Sequence, residues 1–464
     1  MKTLVAALLS LCSACVLAAG NGVKVPPFER VQLGNGAVVL LMERHDVPLI
    51  AFSAVVRGGA VSDPASKSGV ASLLAGVMQK GAGSRDAVQF AETVASVGGQ
   101  IETSASTESI AVSGSFLARD QQLMVELLAD MLQRPRLDLA QFDTLRARQI
   151  EFIRAAKESD LAALTPIYGE SHLFSGHPYG RSVDGSEASL AAIKHADLQQ
   201  YYEQHVGADR LIIAVAGDFK PSQLKQRMSR AFSGWRKAGI ALPPVPKAER
   251  VTGRRVLLID APESVQSYFW AGNVAVAKND PRRPALEVTN TLFGGRFTSM
   301  LNTELRIRTG LSYGASSHFD RLLQTGHWAL SSFTQTDTTI QALDLALATL
   351  DKLHESGLEP TMVDSGKSYV QGQYPLALET SAQWAAQLAT LEFYGLDRRY
   401  IDDYSAQLAA VTPADAKKVI AEVFPPSSAL AIVVVGNASA IREGLRKYGP
   451  ITEMKLADPT FEPK

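Results

Sequence analysis

The chain has 464 residues, 46% of them hydrophobic and 20% charged, with a formal net charge of -1. That balance describes an ordinary globular protein of roughly two to four domains. Near-neutral charge and the lack of any Lys/Arg-rich run give no electrostatic grip on nucleic acid or an anionic membrane surface.

In chain order, Met1-Lys2-Thr3 precedes an apolar run from Leu4 to Leu17 and the small-residue stretch Ala18-Ala19-Gly20. A short positive end, an apolar core and a small-residue cleavage site predict a secretory signal peptide over residues 1–19, cut near Ala18 or Ala19. The core is shorter than the ~20 residues that span a bilayer, and no later apolar run is long enough. The mature protein is thus expected to be exported without a membrane span. Both cysteines, Cys12 and Cys15, fall in the leader, so the exported chain has neither disulfides nor thiolate metal sites. A lipoprotein attached at Cys15 is disfavoured, because Cys12 stands where an aliphatic residue is expected.

The stretch "LGNGAVVLLMERH" reads as a strand entered through a hairpin turn. Farther on, Val70, Leu73, Leu74, Val77 and Met78 form a helical apolar stripe, with Ser72, Gly76 and Gln79 on the opposite face. "HADLQQYYEQHVGADRLIIAVAGD" (195–218) recurs in pattern as "PADAKKVIAEVFPPSSALAIVVVGN" (413–437), each a helix, a polar break and an aliphatic strand ending at Gly217 or Gly436. Residues 108–132 and 326–350 likewise share a strand, a break and an amphipathic helix. Between the copies, Pro243, Pro244 and Pro246 lie among charged residues and suit a linker over residues 237–252. The prediction is an α+β fold of two homologous halves, residues 27–236 and 253–450, each an antiparallel sheet flanked by helices.

Gly310-Leu311-Ser312-Tyr313-Gly314 matches the G-x-S-x-G of a hydrolase nucleophile elbow. Such an elbow needs a strand before it and a helix after it. Here Phe297, Met300, Leu301, Leu305 and Arg308 predict a helix before it, with Gly310 as C-cap, and "YGASSHF" predicts a strand after it. The order is reversed, so Ser312 is not expected to be a nucleophile. None of the eight histidines forms an i, i+4 pair flanking a Glu. His172 and His177 lie in "SHLFSGHPYG", read as a Gly/Pro loop in which a His caps backbone. His354 falls in a last helical turn, where it favours the dipole.

Several phrases together resemble metallopeptidase family 16, the pitrilysin/insulinase-like inverzincins. They are "LGNGAVVLLMERHDVPLIAFSAVVRGGAVSDPASKSGVASLLAGVMQKG", "HPYGRSVDGS", "LIIAVAGDF" and "LFGGRFTSMLNTELRIRTGLSYG". The resemblance runs from about Phe28 to Gly449 and implies two homologous halves forming half of a clam-shell chamber. Active members carry H-x-x-E-H on a first-half helix, with a distant Glu completing a zinc site. Aligning "SGVASLLAGVMQKG" to that helix puts Ser72, Ala75 and Gly76 at the His, Glu and His positions, none able to act as those ligands do. Glu151 lies near the distance of the remaining ligand, but reads better as an exposed helix residue. The resemblance also implies a second-half Arg and Tyr seven residues apart that reach substrate, and Arg306 and Tyr313 match that spacing. Arg308 does not. A guanidinium fork and a phenol can both donate to a peptide carbonyl.

The resemblance therefore implies a non-catalytic subunit of a heterodimeric zinc peptidase in the periplasm. No metal or cofactor is expected on this chain; zinc is expected in a homologous partner, and peptides are the expected substrate. The alternative is a stand-alone peptide-binding or structural pseudopeptidase, as core subunits of the cytochrome bc complex keep this fold without proteolysis. An active peptidase with unusual ligands would need groups the helix does not supply. Gly294-Gly295 reads as a tight turn rather than a flexible substrate loop.

Overall fold

The computed structural model describes residues 22–463. The expected leader over 1–19, with Cys12 and Cys15, lies outside them. Twelve strands form two six-stranded sheets among the described residues. The first is built from β1 (Glu29–Gln32), β2 (Val38–Glu43), β3 (Leu49–Arg57), β4 (Gln100–Ala105), β5 (Ser109–Leu117) and β6 (Leu211–Gly217). The second uses β7 (Arg255–Asp260), β8 (Gln266–Val274), β9 (Ala315–Arg321), β10 (Gly326–Gln335), β11 (Ala431–Gly436) and β12 (Ile451–Lys455). Residues 233–254, between the last helix before the second sheet and β7, form neither helix nor strand.

The hairpin expected from "LGNGAVVLLMERH" joins β1 to β2, closed by the Leu33 amide donating to the Ala37 carbonyl at 2.8 Å. Gly36 supplies the turn's left-handed residue at φ 103°. The expected α+β halves are both there, with sheets that are mostly antiparallel but include parallel pairs. The orders are β1-β2-β6-β3-β5-β4 and β12-β7-β11-β8-β10-β9. β6 runs parallel to β2 and antiparallel to β3, and β11 runs parallel to β7 and antiparallel to β8. Each half therefore sends its chain through a long helical excursion and returns it to the sheet centre. The sequence of β6, LIIAVAG, is buried at every position, as a central strand covered on both faces must be.

Five helices position the grooves and join the two halves: α1 (Val70–Met78), α2 (Leu139–Ser159), α3 (Leu161–Leu173), α4 (Arg283–Asn290) and α5 (Ser381–Tyr394). The halves exchange two of them. Trp384, Ala385 and Leu388 of α5 pack on Val38, Leu40 and Met42 of β2 and on Ile212 and Ala214 of β6, covering the first sheet from the second half. Conversely, Leu164 and Tyr168 of α3 share a core with Leu257, Ile259, Val433 and Val435 of the second sheet. α3 approaches β8 so closely that a Cβ at Gly169 would lie 2.4 Å from Trp270 Cδ2. Arg57 ties the exchange down, donating to the Phe393 and Glu392 carbonyls at 2.6 and 3.0 Å. Each buried Leu or Trp contributes a burial term of about 1.5–3 kcal/mol, so neither sheet is independent of the other half.

Two histidine readings also resolve. His172 is not in a loop: it lies in the last turn of α3, buried, with Nε2 unpartnered, and burial pushes its pKa down to about 4. His177 does cap backbone, its Nδ1 accepting from the Tyr179 amide at 3.1 Å while Nε2 lies 2.9 Å from the Pro246 carbonyl.

Candidate functional site

α1 begins where Gly69 takes a left-handed φ of 102°. Asp63 holds that start from six residues upstream, its carboxylate accepting from the Gly69 and Ala71 amides at 2.8 and 3.0 Å. Burial pushes the Asp63 carboxyl up to about 7, partly opposed by those two amides. The apolar stripe of α1 enters the core as its spacing predicts. The other face lines a groove of about 690 Å³ that Ser72, Ala75 and Gly76 share with Thr103 of β4 and Gln149 of α2.

None of these three side chains fits a catalytic zinc. The Ser72 hydroxyl is spent on Asp184 at 2.6 Å, and Ala75 offers only its carbonyl, which accepts from Thr103 Oγ1 at 2.6 Å. Gly76 has no side chain. Glu151 does not line the groove; it lies exposed on α2, paired with Arg154 at 2.6 Å. Gln149 stands in the groove wall instead, donating to the Asp184 carbonyl at 2.6 Å. Among the described residues, no three His, Cys, Asp or Glu side chains gather closely enough to hold a metal ion.

The second half builds a different site. α4 runs into a π-helical turn, Thr291–Gly295, and a second π-helical segment, Thr303–Arg308, follows Met300–Asn302. Gly294 is required by close approach: a Cβ there would meet the Ser317 amide of β9 at 2.5 Å. Asn290 takes up the adjoining strand edge, donating to the Ser317 carbonyl at 3.0 Å. The helix expected from Phe297 onward starts later, because Ser299 caps it by accepting from the Asn302 amide at 3.3 Å. Phe297 is left outside the helix and 60% exposed.

That displacement creates the site's main feature. The Arg306 guanidinium lies 4.8 Å from the Phe297 ring centroid and 4.3 Å from that of Tyr313. Each such contact is worth about 0.5–1 kcal/mol at an exposed position. Arg306 makes no ion pair or hydrogen bond among the described residues, whereas Arg308 is bound to Glu304 at 3.0 Å. Tyr313 is 75% exposed, in the turn between Gly310, at φ 66°, and β9. Ser312 builds that turn: its hydroxyl donates to the Gly314 carbonyl at 2.8 Å and accepts from Ser332 at 2.9 Å. It is buried with no His or Asp against it. Arg306 also stands at the wall of a groove of about 530 Å³ lined by Phe297, Tyr268, Phe333, Arg296 and Tyr369. Nothing in the sequence pattern singles out Phe297, Arg296 and Tyr369 as groove residues; the loss of helix at 296–299 reveals the first two, and packing of the helix Pro360–Gln373 beside them brings Tyr369.

The comparisons with known proteins follow the same division. Residues 38–186 match the family described as Insulinase (Peptidase family M16), and residues 192–369 match the Peptidase M16 inactive domain. An uncharacterized zinc protease of Streptomyces coelicolor is 24% identical over 87% of this chain and 89% of its own length. A protein of Helicobacter pylori named as a non-peptidase homolog is 25% identical over 74% of this chain and 78% of its own. The crystal structure of a peptidase M16 inactive domain from Pseudomonas fluorescens superposes with a TM-score of 0.82 at 20% identity, covering 88% of this chain and 98% of that one. With both halves matched, in order and on the same fold, the chain belongs to the peptidase M16 family.

Proposed function

We propose that this chain is the non-catalytic, peptide-binding subunit of a two-chain zinc peptidase in the periplasm, the zinc being carried by a homologous partner. The observation that carries the reading is the contrast between the two half-sites. The positions that would hold zinc carry a committed hydroxyl, a methyl group and a glycine, while Arg306 is held ready between two exposed rings with its donors unspent. Stacking fixes the guanidinium plane without consuming its N–H groups, so these and the Tyr313 hydroxyl are free to orient a peptide carbonyl and to stabilise charge that develops on it. β4, an edge strand of the first sheet, offers backbone for an extended peptide to join as a further strand. The leader sequence directs the chain to the periplasm, and the partner supplies the hydrolytic chemistry.

The test is Arg306→Ala in the complex reconstituted with the homologous zinc-bearing chain from the same cell. Loss of a charge-stabilising donor costs about 10²–10³ in kcat, with Arg306→Lys restoring part of it. Full activity of the alanine complex would end the assigned role. Hydrolysis by this chain alone would end the division of labour.

A further inference from the structure

The groove beside Arg306 holds a second guanidinium whose hydrogen bonding is incomplete. Arg296 Nη1 donates to Ser365 Oγ at 3.0 Å, and its guanidinium carbon lies 5.9 Å from the Tyr369 ring centroid. Its Nε is buried with no acceptor, and no acceptor is bonded to Nη2 among the described residues. Two arginines thus line this groove, and no Asp or Glu among the described residues lines it with them. The nearby carboxylate of Glu304 is engaged by Arg308 at 3.0 Å. Aromatic rings and small residues make up most of the rest of the lining: Tyr268 and Phe333 stack across β8 and β10 with centroids 5.7 Å apart, and Phe297 and Tyr369 are exposed.

A volume near 530 Å³ is within the range of pockets that enclose an organic ligand. Uncompensated positive charge selects an anionic occupant, and a planar fork with free N–H groups matches a carboxylate better than a point anion. Aromatic walls select a flat apolar neighbour.

We propose that this groove is a specificity subsite for acidic peptides, receiving a segment in which a carboxylate, held by Arg296, adjoins an aromatic side chain laid against Tyr268 and Phe333. Arg306 then meets the same peptide at its backbone. The inference rests on the peptide-binding reading and narrows the substrate class within it: anionic, aromatic-containing segments are retained over basic ones.

Fluorescence anisotropy of the full exported chain tests this with three labelled peptides. One contains a Glu-Phe pair, the second has glutamine for the glutamate, and the third has alanine for the phenylalanine. The Glu-Phe peptide is expected to bind about tenfold tighter than either analogue at low salt, with the advantage over the glutamine peptide shrinking as salt rises. Arg296→Gln abolishes the preference for glutamate, Arg296→Lys keeps part of it, and Arg119→Gln, at an exposed position outside the groove, leaves it unchanged. Equal binding of the glutamate and glutamine peptides, or a preference that survives Arg296→Gln, overturns the subsite while leaving peptide binding intact. Failure of all three peptides to bind overturns both readings.

Discussion

One substitution, made at two glycines, tests how α1 and α3 are packed. Gly76 lies in the interior of α1, on the face that lines the first groove. A Cβ built there meets only Leu145 Cδ1, at 3.5 Å, and Gly76 is not among the glycines with positive φ. Glycine in a helix interior costs about 0.5–1 kcal/mol against alanine, through the backbone freedom it loses on folding. With ordinary contact and no backbone strain to offset that gain, Gly76→Ala should stabilise the protein by about 0.5–1 kcal/mol. Gly169, in α3, is the opposite case. A Cβ there would sit 2.4 Å from the buried ring of Trp270. Relief requires α3 to lift from β8, which places Gly169→Ala at a cost of about 1–3 kcal/mol. Urea unfolding followed by circular dichroism reads both as shifts of the midpoint at constant slope. Destabilisation by Gly76→Ala would refute the open space beside Gly76. A neutral Gly169→Ala would refute the close docking of α3 on the second sheet.

Three other consequences are open to direct measurement. The Glu108 carboxylate, 5% exposed, accepts from the Tyr179 hydroxyl at 2.5 Å and the Leu323 amide at 3.0 Å, joining the β4–β5 turn to the β9–β10 turn. Glu108→Ala strands the buried Tyr179 hydroxyl and should cost about 1–3 kcal/mol, whereas Glu108→Gln keeps an acceptor and costs less. Burial holds His327 down at about 3, so between pH 6.5 and that value the unfolded chain binds the extra proton and stability falls as pH falls. His327→Asn should therefore lose less stability on acidification than the wild type, by up to about 1.4 kcal/mol per pH unit; parallel pH profiles would refute the burial. Asp63 has the opposite sign. With its folded pKa raised to about 7, the folded state binds the extra proton above the ordinary carboxyl range, so stability contributed below that range is lost as pH rises toward 7. Asp63→Asn should flatten that part of the profile.

The internal repeat is legible in the sequence because each copy combines two local signals. The helical spacing in 195–205 and 413–422 and the aliphatic runs of β6 and β11 each fix their own secondary structure. Where those runs insert is not legible. Placing β6 beside β2 in parallel depends on pairing residues more than 170 positions apart, and no local pattern encodes it. The exchange of α3 and α5 is hidden for the same reason. A loop reading of His172 fails because "SHLFSGHPYG" looks uniformly loop-like, while burial against the second sheet carries the helix through to Leu173. At the site, only the family resemblance, through its seven-residue spacing and its helix alignment, proposes Arg306 and Tyr313 and Ser72, Ala75 and Gly76. Arg296 and Phe297 escape such signals, because their place in the groove wall comes from Ser299 starting the helix late rather than from their own identity.

Peptide binding by this chain on behalf of a zinc-holding partner is tested most directly by native mass spectrometry on the complex drawn from its own cell envelope, reading partner mass and metal together. The expected result is a one-to-one assembly with a homologous chain and a single zinc that stays with the partner when the two are separated. A zinc ion retained by this chain, or an isolated metal-free chain with no homologous partner, would contradict that division of roles.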